Sequence, residues 1–296
     1  EDPNGRAPRL RPVGFALRYV GPLPEALRAA DRVIEVCAGD EARGATVLGH
    51  GVLARALQFR ASILARMGRL PEATADVARA IEIARRRHES ETLVWALSVS
   101  AQLPWVAGEV ADPAPAAEAA KIAEDSGNIT ALVLALRSVA LAHLAGGRVA
   151  DAIAACERAL DEGRRSRSGL FEEAQLLGVL ARARLAAGSN EGANAAADEA
   201  VAAARSQRAR VTEAQVVLAR AHVRRMSGRP AAEVRADLDA AFAVIEETGA
   251  RMYEPFVVEE RARLDGDAAA LSEAQRLYAE AGAGGHAARL KAEAGG

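Results

Sequence analysis

The sequence predicts an all-α fold, a solenoid of about six to seven helical hairpins, and three observations carry that prediction. The first is a recurring turn. Gly68-Arg69-Leu70-Pro71-Glu72-Ala73 reads as a turn closed by glycine and followed by a helix start with Pro71 in its first turn. Counterparts begin at Gly21, Gly147 and Gly188, with looser copies at Gly108, Gly228 and Gly266. From position 68 the turn glycines stand at 108, 147, 188, 228 and 266, in steps of 40, 39, 41, 40 and 38 residues. A fixed period of that size marks a helical repeat array. The second observation is agreement among the helices before each glycine. Seven residues before it stand Ala61, Ala101, Ala140, Ala181 and Ala221; eleven before it stand Leu57, Leu97, Leu136, Leu177 and Val217. A small residue one turn from a large aliphatic lets two helices approach at the short end of packing distances, about 8–10 Å. The third is composition: aromatics make up 3% of the chain, and Ala, Leu and Val dominate its apolar half. That mixture suits close helix packing and argues against a β fold.

Taken in order, residues 1–12 hold three prolines and few apolar side chains, and read as a linker or frayed end. The solenoid is expected over 13–290. Phe15 to Val20, Gly21 and a helix from Pro24 to about Ala38 form an incomplete first unit, separated from the next by an insertion around Gly39-Asp40-Glu41. Six units follow, each with a helix A, a glycine turn and a helix B. Helix A is expected at roughly 45–67, 90–106, 129–145, 170–187, 209–227 and 253–264. The unit around Gly108 is the least regular: Pro104 is expected to kink or shorten its helix A, and Asp112-Pro113-Ala114-Pro115 replaces the usual start of helix B. In the last unit Glu259 occupies the alanine slot and Pro255 the leucine slot, departures that mark a terminal, capping unit. A short final helix is expected from about His286 to Ala294, with 291–296 as the tail.

The turn pattern Gly-x-x-x-[Glu/Asp]-Ala, with alanine seven before and an apolar-alanine stripe after, resembles the tetratricopeptide repeat. Copies at 21, 68, 147 and 188 match well. The spacing near 40 exceeds that family's period of about 34, so helix A is longer here. The resemblance implies a right-handed superhelix with helix A on its concave side. The tail is more specific: Thr248-Gly249-Ala250-Arg251 with Glu254-Pro255, Arg261-Ala262-Arg263-Leu264 with Gly266-Asp267, and Leu277-Tyr278-Ala279-Glu280 through Gly285-His286-Ala287 to Arg289-Leu290. It is similar to the end of large bacterial signalling proteins whose repeats follow an ATP-binding domain. Those proteins include forms with a class III adenylyl or guanylyl cyclase domain, and LuxR-family regulators. The chain begins at Glu1, and the resemblance implies an excised piece of a larger cytoplasmic protein. No phosphate-binding loop or cyclase carboxylate motif of that family lies in these residues, so no catalytic residue carries over.

The residues themselves point away from catalysis. No Gly-x-x-x-x-Gly-Lys-[Ser/Thr] loop occurs, and the only lysines are Lys121 and Lys291. The five histidines show no His-x-x-x-His spacing, and Cys37 and Cys156 no Cys-x-x-Cys pairing, so no metal or other cofactor is expected. Both cysteines read as small buried hydrophobes. Glu172-Glu173 and Glu259-Glu260 are adjacent pairs whose side chains diverge by about 100° around a helix, and are expected on solvated faces. A net charge of −2 gives no basic excess to attract nucleic acid, and no apolar run of about 18 residues could cross a bilayer.

A concave binding groove is the remaining candidate. On the family's geometry, positions thirteen, ten, six and three before the turn glycine look inward, and they hold Trp95, Ser98, Gln102 and Trp105 in one repeat. Arg137, Leu141 and Leu144 follow in the next, then Gln175, Arg182 and Leu185, then Gln215, His222 and Arg225. The two tryptophans either fill a tighter superhelix around Pro104 or anchor a binding surface with Arg137 and Arg182. Four before the glycine, where the family places a large aromatic, His143, Arg184 and Arg224 form a basic ladder. The ladder either snorkels over the alanine-rich core or meets an anionic ligand or acidic partner. The groove candidates are therefore Trp95, Trp105, Arg137, Arg182, Arg184, His222, Arg224 and Arg225. The expected function is a non-catalytic module that binds a protein, peptide or small-molecule effector in the groove, as the sensory or regulatory half of a bacterial ATP-binding signalling protein or transcriptional regulator. The alternative is a structural scaffold that holds homo-oligomers together.

Overall fold

A computed structural model describes residues 19, 21–48 and 50–294. The expected linker over 1–12 and the end of the expected tail lie outside them, as does most of Phe15 to Val20. Among the described residues the chain is an all-α solenoid of fifteen α-helices. An incomplete first unit holds α1 (Leu23–Cys37) and the four-residue α2 (Ala45–Leu48). Six hairpins follow: α3 (Val52–Arg66) with α4 (Leu70–Arg86), α5 (Ser90–Ala107) with α6 (Ala114–Ser126), α7 (Ile129–Ala145) with α8 (Val149–Ser166), α9 (Glu173–Ala186) with α10 (Asn190–Ser206), α11 (Arg210–Met226) with α12 (Ala231–Thr248), and α13 (Glu254–Asp265) with α14 (Ala268–Glu280). A final helix, α15 (Gly284–Ala294), caps the array. Single 3-10 turns, Leu170–Glu172 and Arg251–Tyr253, lead into α9 and α13.

The turn glycines at 68, 108, 147, 188, 228 and 266 all adopt positive φ, near 71–79°, the left-handed conformation that ends a helix without a Cβ penalty. The small and large slots meet between the helices as the sequence predicts. Ala61, Ala101, Ala140, Ala181 and Ala221 are buried, as are Leu57, Leu97, Leu136, Leu177 and Val217. Each helix A packs on its own helix B, on the preceding helix B and on the next helix A, so the A helices form the inner layer. Cys37 and Cys156 are free, buried thiols, and burial pushes Cys156 up to about 12.

An arginine clamp recurs in the array. Arg60, eight residues before Gly68, reaches Asp76 of its own helix B at 2.6 Å and Asp31 of the preceding one at 3.0 Å. Arg220, eight before Gly228, meets Asp237 at 2.6 Å and Asp198 at 3.0 Å. One guanidinium thus ties three helices, because its fork can serve two carboxylates at once.

Three expectations are corrected here. The first helix A, expected over 45–67, is divided: α2 ends at Leu48 and α3 begins at Val52 after Gly51 in extended conformation. Pro104 does not shorten its helix: α5 runs to Ala107, and the freed C-terminus is closed when the Glu109 amide donates to the Pro104 carbonyl at 2.8 Å. Pro104 sits in the last turn, where few hydrogen bonds remain to be broken. Nor are the glutamate pairs solvated: Glu172, Glu259 and Glu260 are all buried, and only Glu173 keeps partial exposure.

The solenoid closes on itself. Met252, Tyr278, Ala281 and Leu290 share one apolar cluster with Val52, Leu57, Leu64 and Leu70. Gly68 lies against Ala281, and the Leu70 amide donates to the Ala281 carbonyl at 3.4 Å. At the other edge Gly21 meets Thr248, and Gly249 meets Pro24. Helix α15 packs on α5, where Gly108 and Gly285 touch through their backbones. Among the described residues, no helix is long and apolar enough to cross a membrane.

Candidate functional site

The inner layer builds a cavity. Each A helix commits its seam positions to small and aliphatic residues, which leaves larger side chains on the face turned to the superhelix interior. Gln102 and Trp105 of α5, Arg137 and Leu141 of α7, Gln175 and Arg182 of α9, and Gln215 of α11 line a cavity of about 390 Å³. Because the ends of the array meet, Tyr253, Phe256 and His286 close its far wall, with Glu109 and Val110 in the α5–α6 connection beside them. A cavity of this size suits a small molecule or a few residues of peptide. An outer groove of about 510 Å³ between α4 and α5 is lined largely by apolar side chains, and Glu109 is its one ionisable group.

Arg182 dominates the electrostatics. Its guanidinium carbon lies 6.0 Å from the centroid of the Trp105 ring. Among the described residues no carboxylate pairs with it. Burial pushes it below the ordinary guanidinium value, opposed by the charges of Glu260 and Glu259 at longer range. Those carboxylates are already engaged. Glu260 lies 2.7 Å from His222 Nδ1 and 2.6 Å from Arg225 Nε; burial raises its pKa, but these partners outweigh burial and hold the carboxyl at about 2. Glu259 accepts from Arg263 at 2.8 Å, Arg289 at 2.8 Å and the Tyr278 hydroxyl at 2.9 Å.

The remaining candidates divide by position. Arg137 lines the cavity but is 5% exposed and pairs at 2.7 Å with Glu172, which also accepts from the Tyr19 hydroxyl at 2.9 Å. Trp95 is walled off: its ring stacks on Phe171 at 6.1 Å, the Arg55 guanidinium lies 4.4 Å over it, and it faces only an inner cleft of about 60 Å³. His222 and Arg225 serve Glu260. Arg184 and Arg224 turn towards the B helices, Arg184 to Glu157 at 3.1 Å and Arg224 to Asp237 and Asp198 at 3.0 and 3.2 Å. The third rung of the ladder, His143, accepts from Arg148 at 2.9 Å. The structure therefore brings Trp105, Arg137 and Arg182 to one cavity and places the ladder on the outer seam, where carboxylates from α8, α10 and α12 pair with its two arginines.

Sequence reasoning missed the far wall. Tyr253, Phe256 and His286 sit in the terminal unit, whose departures from the repeat pattern mark it as a cap but not as part of the interior. Phe256, Tyr278 and His286 form an aromatic set, with centroids 4.8–4.9 Å apart. Burial, helped by Arg289, pushes His286 down to about 4. The Trp105 backbone hydrogen-bonds the ring, and its Nε2 is buried with no partner. The Gln175 side chain donates to Thr212 Oγ1 at 3.4 Å and leaves its own oxygen buried and unpartnered. Among the described residues, no three His, Cys, Asp or Glu side chains are grouped to hold a metal ion.

No protein-family model matches the chain, and no curated protein matches it in sequence. Solved structures show the same fold at low identity. The Bacillus thuringiensis PlcR structure, in complex with the peptide PapR7 and DNA, is 13% identical, with a TM-score of 0.59 over 87% of this chain and 99% of that one. The apo form of RapI is 12% identical, with a TM-score of 0.56 over 98% of each chain. A Rap protein complexed with Competence and Sporulation Factor is 12% identical, with a TM-score of 0.56 over 98% of this chain and 96% of that one. The fold is that of tetratricopeptide-like helical repeat proteins.

Proposed function

We propose that this chain is a non-catalytic regulatory module that takes a peptide or a small effector into its interior cavity and signals occupancy through closure of the solenoid. The observation that carries this reading is the unpaired Arg182, set beside Trp105 in a cavity of about 390 Å³ where Glu259 and Glu260 already have cationic partners and the exposed Glu109 makes no ion pair with it. A guanidinium partly shielded from water without a counter-charge is a cost to the fold, and a ligand is the natural source of compensation. The structures of PlcR with PapR7 and of a Rap protein with Competence and Sporulation Factor support a peptide as the class of partner. Occupancy has a direct route outward, because the cavity wall contains both A-helix residues and His286 of the cap. A ligand that favours one packing of cap on repeats shifts superhelix curvature by its differential affinity for the two. In the parent protein that shift would bias an attached ATP-binding or transcription-regulating domain, the role that the tail resemblance supports.

The test is affinity selection of a random-sequence peptide pool on the purified chain, followed by hydrogen exchange with and without the selected member. Added protection of α5, α9, α11 and α15 is expected. Protection confined to the outer B helices, or a pool with no binder, would overturn the reading.

A further inference from the structure

We infer that the cavity recognises a ligand bearing one free carboxylate together with amide N–H groups, such as the C-terminus of a short peptide or an N-acylated amino acid, and that Arg182 is the carboxylate's partner. The inference rests on the interior being an effector site and names the chemistry of that effector.

Charge accounting assigns the sign. Glu172 pairs with Arg137, Glu260 with His222 and Arg225, and Glu259 with Arg263 and Arg289, while Glu109 in the wall makes no ion pair with Arg182, which leaves that guanidinium open to an incoming acid. The Trp105 ring beside Arg182 leaves the N–H edge of the guanidinium to an acceptor, and a planar carboxylate matches that fork through two parallel hydrogen bonds. The other polar groups of the wall ask for the opposite. His286 Nε2 and the Gln175 oxygen are buried and unpartnered. Burial keeps the imidazole neutral, and its hydrogen bond with the Trp105 backbone leaves Nε2 as an acceptor. Both atoms lie just behind the cavity surface, and a ligand N–H that displaces the wall to reach them would meet acceptors whose isolation is costly. Sulfate would satisfy Arg182 and leave these acceptors empty, and Glu109 in the same wall opposes any multiply charged anion, phosphate included. A fatty acid lacks donors altogether. An amide-bearing acid supplies both kinds of group.

Calorimetry on the full chain tests this with four probes: a pool of N-acetyl tripeptide acids, the same pool as C-terminal carboxamides, a pool of N-acetyl amino acids, and inorganic phosphate. Tripeptide acids should bind, with the carboxamides weaker by about tenfold or more, the loss expected for a buried charge-assisted hydrogen bond. Phosphate should not bind. Arg182→Gln should bring the acids down to the level of the carboxamides, and Arg182→Lys should retain part of the affinity. N-acetyl amino acids that bind as tightly as the tripeptides would support a small acylated acid as the source, and weaker binding would support a peptide terminus. Carboxamides that bind as tightly as acids would overturn the carboxylate assignment while leaving a binding cavity, and that comparison needs no variant. Unchanged acid affinity in folded Arg182→Gln would do the same. Silence from all the organic pools would overturn the effector site as well.

Discussion

Gly108 and His286, 178 positions apart in sequence, meet at the point where the cap closes the solenoid: a Cβ on Gly108 would come within 2.6 Å of the His286 backbone nitrogen. Gly108 is thus both the turn of its own hairpin and the seat of α15. Gly147 performs only the first task, at φ +72° with nothing within 4 Å of its hypothetical Cβ. The pair separates the cost of the turn from the cost of closure.

Gly147→Ala should lose about 1 kcal/mol, the penalty for a side chain at positive φ. Gly108→Ala should lose more, about 2–4 kcal/mol, because α15 must also move. Urea denaturation compares the totals, and hydrogen exchange should show α15 deprotected in Gly108→Ala alone. Equal losses would mean that the cap does not hold the ring closed.

Glu259→Ala restores the alanine of the repeat pattern and should nevertheless destabilise. Arg263, Arg289 and the Tyr278 hydroxyl all lose their shared acceptor, and because both arginines are partly exposed and keep Glu293 the loss should be about 1–3 kcal/mol. A rise in thermal midpoint for this variant would show that the slot rule outweighs the local network.

The two cavity arginines should behave in opposite ways. Arg137→Met strands the buried Glu172 carboxylate and should cost about 3–5 kcal/mol. Arg182→Met removes an unpaired guanidinium and should be neutral or raise stability by about 1 kcal/mol. Chemical denaturation of both variants decides the matter, and a large loss in Arg182→Met would place that residue among the structural ion pairs.

Stability should fall as pH drops from about 6.5 to about 4. His286 is held down to about 4 in the folded chain, so across that window the unfolded chain binds the extra proton and gains. The loss should be about 2 kcal/mol after its partial exposure is allowed for. Glu260, held at about 2, extends the loss below pH 4.5 as the unfolded carboxyl takes up its proton first. His286→Phe keeps an aromatic ring beside Phe256 and Tyr278 and should flatten the upper part of the curve; thermal melts across pH 4–7 check it, and an unchanged slope would assign the proton elsewhere.

The sequence by itself determined the unit. The period near 40, the glycine turns, the seam of alanine against leucine and the order of the helices are all local, because a hairpin in a solenoid touches only its neighbours and repeats its contacts at fixed spacing. The inward slots of α5, α7, α9 and α11 were legible for the same reason, so Trp105, Arg137 and Arg182 could be named together. Closure was not legible. Tyr19 with Glu172, Gly68 with Ala281 and Gly108 with His286 each occur once, far apart in the chain and outside any period. Only the accumulated curvature of the stacked hairpins decided that these residues meet. That closure turned an open groove into a cavity, buried Glu259 and Glu260 beneath the cap, and left Arg182 in the cavity wall with no carboxylate partner among the described residues.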